Sequence, residues 1–563
     1  MIVGIDLGTT HSLIGAYGPQ GPSLFTNALG STLTPSVVSV DEDERIIIGQ
    51  PARDRLITHA ASSVATFKRW MGSEREVRLG NHRLRPEELS ALLLRQLLAD
   101  AEAALGTRVE EAVISVPAYF SDAQRKATRA AGEIAGIRVE RLVNEPTAAA
   151  LAYGLQHRSD GGRFLVLDLG GGTFDVSILE IFEGVVEVHA SAGDNYLGGE
   201  DFLDLLYKTL CTDLDLDPTR LQPRDRARIR QRCEQAKREL SSRQAVHVRI
   251  PVDGATIEWE IDQSRFAQLA EPLMQRMRAP VERAMRDARL QSSQVDEVVL
   301  VGGATRMPMV ARLVSRMFGR LPLRDVNPDE AVARGVAIAA GLKSRDARLE
   351  EVILTDVCPY TLGTQVAQID GAGRYQAGFF QPIIHRNSTV PVSREETFWP
   401  VEDHQSRLRI DVYQGENPMV ANNIKLGALD VELPPRRSKD QNGVAVRFTY
   451  DVNGVLQVEA TVLASGRRFE LLLEQNPGLL SQEEIRERLR TLDALKIHPR
   501  DQHENMAATA RAERVYEEHV DQRHALSERL ASFRGALEAQ DSRLIREERR
   551  ALLTLLDHIE TAS

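Results

Sequence analysis

Apolar positions in this chain fall into blocks of different period, and each block predicts a different kind of element. Phe164-Leu-Val-Leu and Val298-Val-Leu-Val301 are short unbroken runs, the pattern of strands buried on both faces, and Val3-Gly-Ile leads into Asp6 in the same way. Residues 12–17 supply a returning strand after the first of these. Leu89, Leu93 and Leu97 recur every fourth residue and predict a helix over 86–105. After about residue 357 the period drops to two. Arg407-Leu408-Arg-Ile410-Asp-Val412-Tyr, Val444-Ala-Val446-Arg-Phe448 and Leu456-Gln-Val458-Glu-Ala460-Thr-Val462 alternate, and Asn453-Gly454 supplies a hairpin turn. Half-buried antiparallel sheets follow from that pattern. From Ser481 the pattern turns helical. Ser481 and Glu484 form a capping box, and Ile485, Leu489, Leu492 and Leu495 share a face up to the break at Pro499. Further helical positions run from Val515 and Val520 through Leu526, Leu530, Phe533 and Leu537 to Leu555.

Composition narrows the class. At ~150 residues per domain, 563 residues suggest three or four folding units. Hydrophobic residues at 42% and charged residues at 27% are ordinary for a globular chain, while a net charge of −11 argues against a general nucleic-acid surface. A protein or small-molecule partner is expected instead. Cys211, Cys233 and Cys358 are far apart and form no C-x-x-C pair, so they support neither a disulfide framework nor a zinc knuckle. Met1-Ile-Val-Gly-Ile-Asp6 lacks a basic leader, and no apolar run reaches the ~18 residues of a membrane span. The expected location is the cytoplasm, with no membrane partner.

Candidate chemistry begins where Phe164-Leu-Val-Leu runs into Asp168-Leu-Gly170-Gly171-Gly172-Thr173-Phe-Asp175. Glycines let backbone N–H groups approach an anion, Thr173 adds a hydroxyl, and the two acids can hold a hydrated divalent cation. Asp6-Leu-Gly8-Thr9-Thr10-His11 is a near copy. Either loop alone also reads as a glycine turn in a hairpin; the repetition suggests a duplicated fold whose lobes clamp one nucleotide. The pair resembles the phosphate motifs of the actin, sugar-kinase and heat-shock ATPase superfamily. Other residues stay open on their own chemistry. Lys68 reads as a surface lysine by residue type. Glu145, before Pro146, reads as an exposed acid at a helix start. Gly198-Gly199 reads as a turn capping a helix over 202–210, and 233–242 as a solvated charged helix. Gly302-Gly303-Ala-Thr-Arg306 joins a strand to a helix in a generic nucleotide-binding arrangement, and Asn327-Pro-Asp329 caps a further helix.

Ala112-Val-Ile-Ser-Val-Pro117-Ala-Tyr-Phe-Ser-Asp-Ala-Gln-Arg125 and Arg141-Leu-Val-Asn144-Glu145-Pro-Thr-Ala carry a closer likeness. With both loops, they resemble the seventy-kilodalton heat-shock chaperone family, over almost the whole chain. The resemblance implies a multidomain protein: a duplicated α/β actin-like ATPase domain (1–343), a linker (344–356), an antiparallel β-sandwich that binds peptide (357–478) and a truncated α-helical lid (479–563). It implies ATP/ADP and Mg2+ as ligands. Asp6 and Asp168 would hold magnesium through its waters. Gly8, Thr9, Thr10, Gly170, Gly171, Gly172 and Thr173 would cradle the phosphates, Lys68 would stabilise the transferring group, and Glu145 or Asp175 would orient the water. Gly198 and Gly199 would lie near the phosphates and ribose. Glu234, Lys237, Arg238 and Ser241 would form one wall of the adenosine pocket, and Gly302, Gly303, Arg306 and Asp329 the other. His11 replaces a more usual asparagine or aromatic; as an exposed or hydrogen-bonded imidazole it would make phosphate contact pH-sensitive in the physiological range.

The resemblance also implies regulation. Pro117 and Arg125 would relay nucleotide state, while Arg141, Asn144 and Asp356 would meet a J-domain co-chaperone. Thr364, Val366, Phe398, Val401, Leu408 and Ile410 would line a groove for extended client polypeptides. Ala367 and Val401 alter the residues that would arch over the client, and Thr355 alters the linker. A nucleotide exchange factor is a further possible partner. The short lid and the stretches 351–360 and 492–501 resemble the HscC branch, a specialised chaperone. Two rival readings are a nucleotide-gated binder of one dedicated client and a small-molecule kinase.

Overall fold

The computed structural model describes residues 1–154, 162–182, 185–252, 255–323, 327–344, 349, 353–369, 371, 374–435, 438–451, 454–473, 499–501, 503–519 and 522–561. Strand Ile2–Asp6 pairs antiparallel with His11–Gly18 and parallel with Glu111–Val116, which pairs parallel with Arg138–Asn144. Gly21–Leu24 extends the hairpin side. A second sheet repeats the plan. Gly162–Leu169, Phe174–Phe182 and Val185–Asp194 form an antiparallel meander, and Glu297–Val301 runs parallel to the leading strand. In both sheets the leading strand carries an acid at its end, Asp6 as the last residue and Asp168 as the last but one, and the chain turns through glycine before returning. The unbroken apolar runs are explained by burial on both faces: Val3, Ile5, Leu165, Val166 and Leu167 are all buried.

Two alanine-rich helices, Glu145–Gly154 and Ala331–Lys343, share one core with strands of both sheets, including Val113, Val166 and Val299. They cross at backbone contact, since a Cβ at Gly335 would stand 1.6 Å from the Ala148 carbonyl oxygen. Only glycine fits there. Helix Pro86–Leu105 forms as expected, with Leu89, Leu93 and Leu97 buried. One expected cap is corrected. Helix Ala331–Lys343 starts after Glu330 with no side-chain cap; the Asn327 side-chain oxygen instead accepts from Asp329 N and Arg306 Nη2.

Contacts divide the chain into two compact units, Met1–Pro359 and Tyr360–Ser563. The second holds two antiparallel four-stranded sheets. One orders Tyr375–Ile384, Leu362–Ile369, Arg407–Gln414 and Ile424–Glu432; the other orders Val392–Phe398, Val444–Tyr450, Leu456–Val462 and Arg468–Leu473. The expected turn bends at Gly454, in the left-handed region at φ 83°, where glycine is favoured; Asn453 lies outside the described residues. Helices His503–Glu518, Arg523–Ala539 and Ser542–Thr561 bury Val515, Leu526, Phe533, Leu537, Leu552 and Leu556 in a core of their own, with Leu530 and Leu555 packed partly against it. Gln540 Nε2 donates to the Glu395 carbonyl at 3.0 Å, which ties these helices to the second sheet. The expected capping box at Ser481 and Glu484, the face from Ile485 to Leu495, and Val520 lie outside the described residues. Among those residues no helix is long and apolar enough to cross a membrane.

Candidate functional site: a phosphate-binding cleft and a split sheet

The two glycine loops face one cavity of about 370 Å³ in the first unit. Ser12 and Ser36 shape the first loop: Ser12 Oγ accepts from Gly8 N at 3.0 Å, and Ser36 Oγ donates to the Gly8 carbonyl at 2.8 Å. The second loop is held by its neighbour, through Gly199 N to the Gly170 carbonyl (2.9 Å) and Glu200 N to the Gly171 carbonyl (2.8 Å). A Cβ at Gly198 would stand 2.5 Å from Gly172 N, so the loops touch through backbone alone. Arg69 donates to the Gly172 carbonyl from Nε and Nη2, each at 3.2 Å, and pairs with Asp201.

Charge is concentrated at the closed end. Lys68, expected at the surface on residue type, is only 4% exposed and lies 2.6 Å from Glu145 Oε1; Glu145 is likewise buried. Asp6 accepts from Ser115 Oγ at 2.7 Å. Burial, followed by the Glu145 charge, raises the Asp6 carboxyl to about 6. Asp168 is raised well above the usual range by burial and then by Glu145, Asp175 and Asp6, with Lys68 opposing. Asp175 is pushed to about 8 by burial and Glu145. Its Oδ1 accepts from Tyr119 N at 3.0 Å and its Oδ2 is buried without a hydrogen bond. Carboxylates raised by burial and by one another's charge have room for added positive charge. No group of three His, Cys, Asp or Glu residues among those described is placed to hold a metal directly. Hard oxygen donors, in surplus but too few at any one point, fit magnesium that keeps most of its waters.

The open end carries paired cations. Lys237 lies 2.6 Å from Glu234 and donates to the Gly199 carbonyl at 2.9 Å; Arg238 pairs with the same Glu234 at 2.7 Å. Opposite them, Arg306 pairs with Asp329 at 2.6 Å. Gly8, Thr9, Thr10, His11, Gly170, Gly171, Thr173, Gly199, Ser241, Gly302 and Gly303 line the same cavity, as do Asp6, Lys68, Glu145, Asp168 and the residues of both cationic walls. Gly172, Gly198 and Asp175 do not; they stand behind the lining. Of the two acids expected to orient water, Glu145 is therefore the one at the cavity. His11 departs from expectation too. Burial, then Arg53 and Arg238, lowers it to about 4, so without ligand the ring is neutral across the physiological range.

A hydrogen-bonded chain leads away from the cleft. Tyr119 N binds Asp175; Arg125 donates to the carbonyls of Ala118 and Phe120 (3.2 Å each) and to Asn144 Oδ1 (2.7 Å). Asn144 Nδ2 donates to both Asp356 oxygens at 2.8 and 2.9 Å. Pro117 begins the turn that carries Ala118 and Tyr119, its carbonyl accepting from Phe120 N, and Arg141 shares the Asn144 strand. Burial raises the Asp356 carboxyl, opposed by the Val357 N–H and by Arg125, Arg141 and Asn144. The short strand Ile353–Leu354 pairs parallel with Val185 and Val186 of the second sheet.

In the second unit, the ladder between Leu362–Ile369 and Arg407–Gln414 holds at Leu362↔Gln414, Gly363↔Tyr413 and Thr364↔Val412, then stops. Each strand continues, paired only on its outer side. A split therefore opens between facing edges. Since Thr364 lies opposite Val412, the period of two puts Thr364, Val366, Ile410 and Leu408 on one face of that sheet. Thr364 is 1% exposed and donates its hydroxyl to the Asp411 carbonyl at 2.9 Å, at the point where pairing ends. Phe398 instead ends a strand of the other sheet, opposite Val444, and Val401 lies in the connection beyond it. Sequence reasoning passed over Arg53, Arg69 and Ser115; only Ser115, a polar residue inside a buried strand, left a signal.

The family model described as Hsp70 protein matches residues 2–78 and 74–563. This chain belongs to the Hsp70 family. Chaperone protein DnaK of Thermotoga petrophila is 42% identical over 503 residues, covering 86% of this chain and 82% of the relative. Chaperone protein DnaK of Thermosipho africanus is 40% identical over 517 residues, covering 89% and 84%.

Proposed function

We propose that this protein is an ATP-hydrolysing chaperone, in which the nucleotide in the first unit governs the hold of the second on extended apolar polypeptide. The observation that carries the reading is a single cavity closed by two equivalent acid-and-glycine loops, joined through Asp175, Tyr119, Arg125 and Asn144 to the linker acid Asp356. Phosphoryl transfer to water asks little covalent work of a protein and much charge placement. The backbone N–H groups and hydroxyls of Gly8 to Thr10 and Gly170 to Thr173 bind the phosphates. Lys68 places positive charge at the transferring group, and Glu145, held by Lys68, orients the attacking water. Asp6 and Asp168 would hold magnesium through water, and the ion would neutralise phosphate charge. Arg238 and Arg306 flank the base.

The split sheet takes a guest strand through its unpaired backbone edges, with the face of Val366, Ile410 and Leu408 receiving an apolar side chain. A small-molecule kinase would leave that split without a role. Arg141, Asn144 and Asp356 are the proposed contact for a J-domain partner. Cys211, Cys233 and Cys358 are buried and form no disulfide with one another, which supports a reducing, cytoplasmic site of action. The HscC reading rests on the sequence likeness alone, and the relatives bear the DnaK name; the function proposed is the general one.

Coupling between the sites is a difference in binding free energy and must run both ways. Single-turnover hydrolysis should therefore rise several-fold with an extended apolar peptide, and Asp356→Ala should remove the rise while leaving the basal rate in place. Absence of ATP binding, or a wild-type rate indifferent to peptide, overturns the reading.

A further inference from the structure

His11 and Arg53 make a contact the reaction described above does not use. Arg53, on the helix Gln50–Thr58, points Nη1 at His11 Nε2 at 3.3 Å, and His11 Nδ1 lies 3.4 Å from Thr10 Oγ1. A guanidinium can only donate. Nε2 must then be the acceptor, and the one proton of a neutral ring belongs on Nδ1, beside the first phosphate loop. We propose that Arg53 is a positioning residue of the nucleotide cleft: it fixes His11 in the neutral Nδ1–H tautomer, so that the ring serves a bound phosphate as an uncharged hydrogen-bond donor. This rests on the nucleotide reading above.

Other charges face the ring as well. Arg238 and Glu234 reach it from the helix Pro223–Glu239, and Asp329 from the turn before Ala331–Lys343. The guanidiniums of Arg53 and Arg238 oppose protonation, and the two carboxylates favour it. Each carboxylate is already paired with an arginine, Glu234 with Arg238 and Asp329 with Arg306. Arg53 is the group that touches the ring itself. Protonating Nε2 would set two cations against each other at that contact, so the charged ring requires Arg53 to leave.

The experiment compares the Kd of ADP in wild type, Arg53→Gln, Arg53→Lys, His11→Asn and Arg53→Gln/His11→Asn between about pH 8.5 and about pH 5.5. Asp6 and Asp175 titrate in this range but are common to all five proteins, so the ratios between variants isolate the ring. Losing Arg53 raises the His11 pKa, and a phosphate raises it further in the complex, so binding takes up a proton and tightens as pH falls. The Kd ratio of Arg53→Gln to wild type should drop about three- to tenfold from the high to the low pH. In the His11→Asn background the same ratio should not move, and Arg53→Lys should follow wild type. A ratio constant with pH in the His11 background overturns the proposal. Should Arg53→Gln fail to fold, the ring nitrogen shifts of His11 in the wild-type protein decide: protonated Nδ1 with bare Nε2 supports it, and the opposite tautomer or a doubly protonated ring overturns it. Failure of the wild type to bind ADP at any pH is a different result, and overturns the nucleotide reading instead.

Discussion

On the function proposed above, the cleft and the split sheet are both binding sites, and they are built on opposite principles. In the cleft the recognising groups are charged and already engaged with one another: Lys68 with Glu145 at the buried end, Lys237 and Arg238 with Glu234 and Arg306 with Asp329 toward the open end. A ligand must match that pattern of charge, which selects chemistry narrowly. In the split the recognising groups are backbone edges left after three rungs of pairing. Backbone edges accept any extended chain, and only the apolar face beside them discriminates. On that reading one protein holds a site that refuses nearly everything and a site that refuses little, and the two share no ligand.

The largest effect that would test this contrast comes from Lys68. Lys68→Met should slow single-turnover hydrolysis by about 10²–10³-fold, the scale of one lost electrostatic contact in a preorganised site. Nucleotide-free peptide affinity should stay as in wild type. Removing Lys68 alone leaves the buried Glu145 carboxylate unpaired, a costly state. Lys68→Met/Glu145→Gln separates the two effects: it should recover thermal stability and not the rate. A fall in peptide affinity in the double variant would break the claimed separation of the sites.

A smaller effect is written in the pH dependence of stability. Asp175 is raised to about 8 in the folded, nucleotide-free protein against about 4 unfolded. A raised acid favours the folded state only while protonated, so its contribution is present below the unfolded value and is lost as pH climbs from about 4 through about 8. Asp175→Asn keeps an acceptor for Tyr119 N and removes the charge. Variant and wild type should unfold at similar temperatures near pH 4, and the variant should gain, on the order of 2 kcal/mol, by about pH 6. The peptide unit should show no such trend, because Asp175 belongs to the first unit. Scanning calorimetry at the two pH values reads both; a stability difference independent of pH would sink the assignment.

Much of the cleft was legible because its chemistry is local. Asp6 to Thr10 and Asp168 to Thr173 each carry acid, glycine and hydroxyl within one turn, and a strand pattern leads into both. What escaped was chemistry assembled across the chain. Arg53 meets His11 42 residues away, Arg69 meets Gly172 at a separation of 103, and Ser115 meets Asp6 at 109. Lys68 read as a surface residue for the same reason, since its partner Glu145 is 77 residues on. The titration expected of His11 moves out of the physiological range because burial and, after it, the neighbouring guanidiniums of Arg53 and Arg238, none of them visible in local sequence, hold the ring neutral. In the sheet, alternation correctly announced Arg407–Gln414 and its neighbours. It could not announce the split, because residues 407–411 keep the same period whether or not the strand beside them is paired.

Thr364 offers the smallest effect and the sharpest view of the split. Its hydroxyl caps the last rung by donating to the Asp411 carbonyl, and it is buried while doing so. Valine has the same shape without the donor, so Thr364→Val adds no volume and leaves the part-buried Asp411 carbonyl without this donor. The cost should be about 1–2 kcal/mol in chemical denaturation of the second unit. Basal single-turnover hydrolysis should be unchanged, since no atom of the cleft is touched. Peptide should dissociate faster by no more than about thirtyfold, the kinetic equivalent of the same free energy. Thr364→Ser separates donor from shape: it keeps the hydroxyl, loses the methyl, and should recover most of the dissociation rate. If serine instead behaves like valine, the methyl and not the hydroxyl holds the end of the split, and the hydrogen bond at Asp411 is incidental to peptide binding.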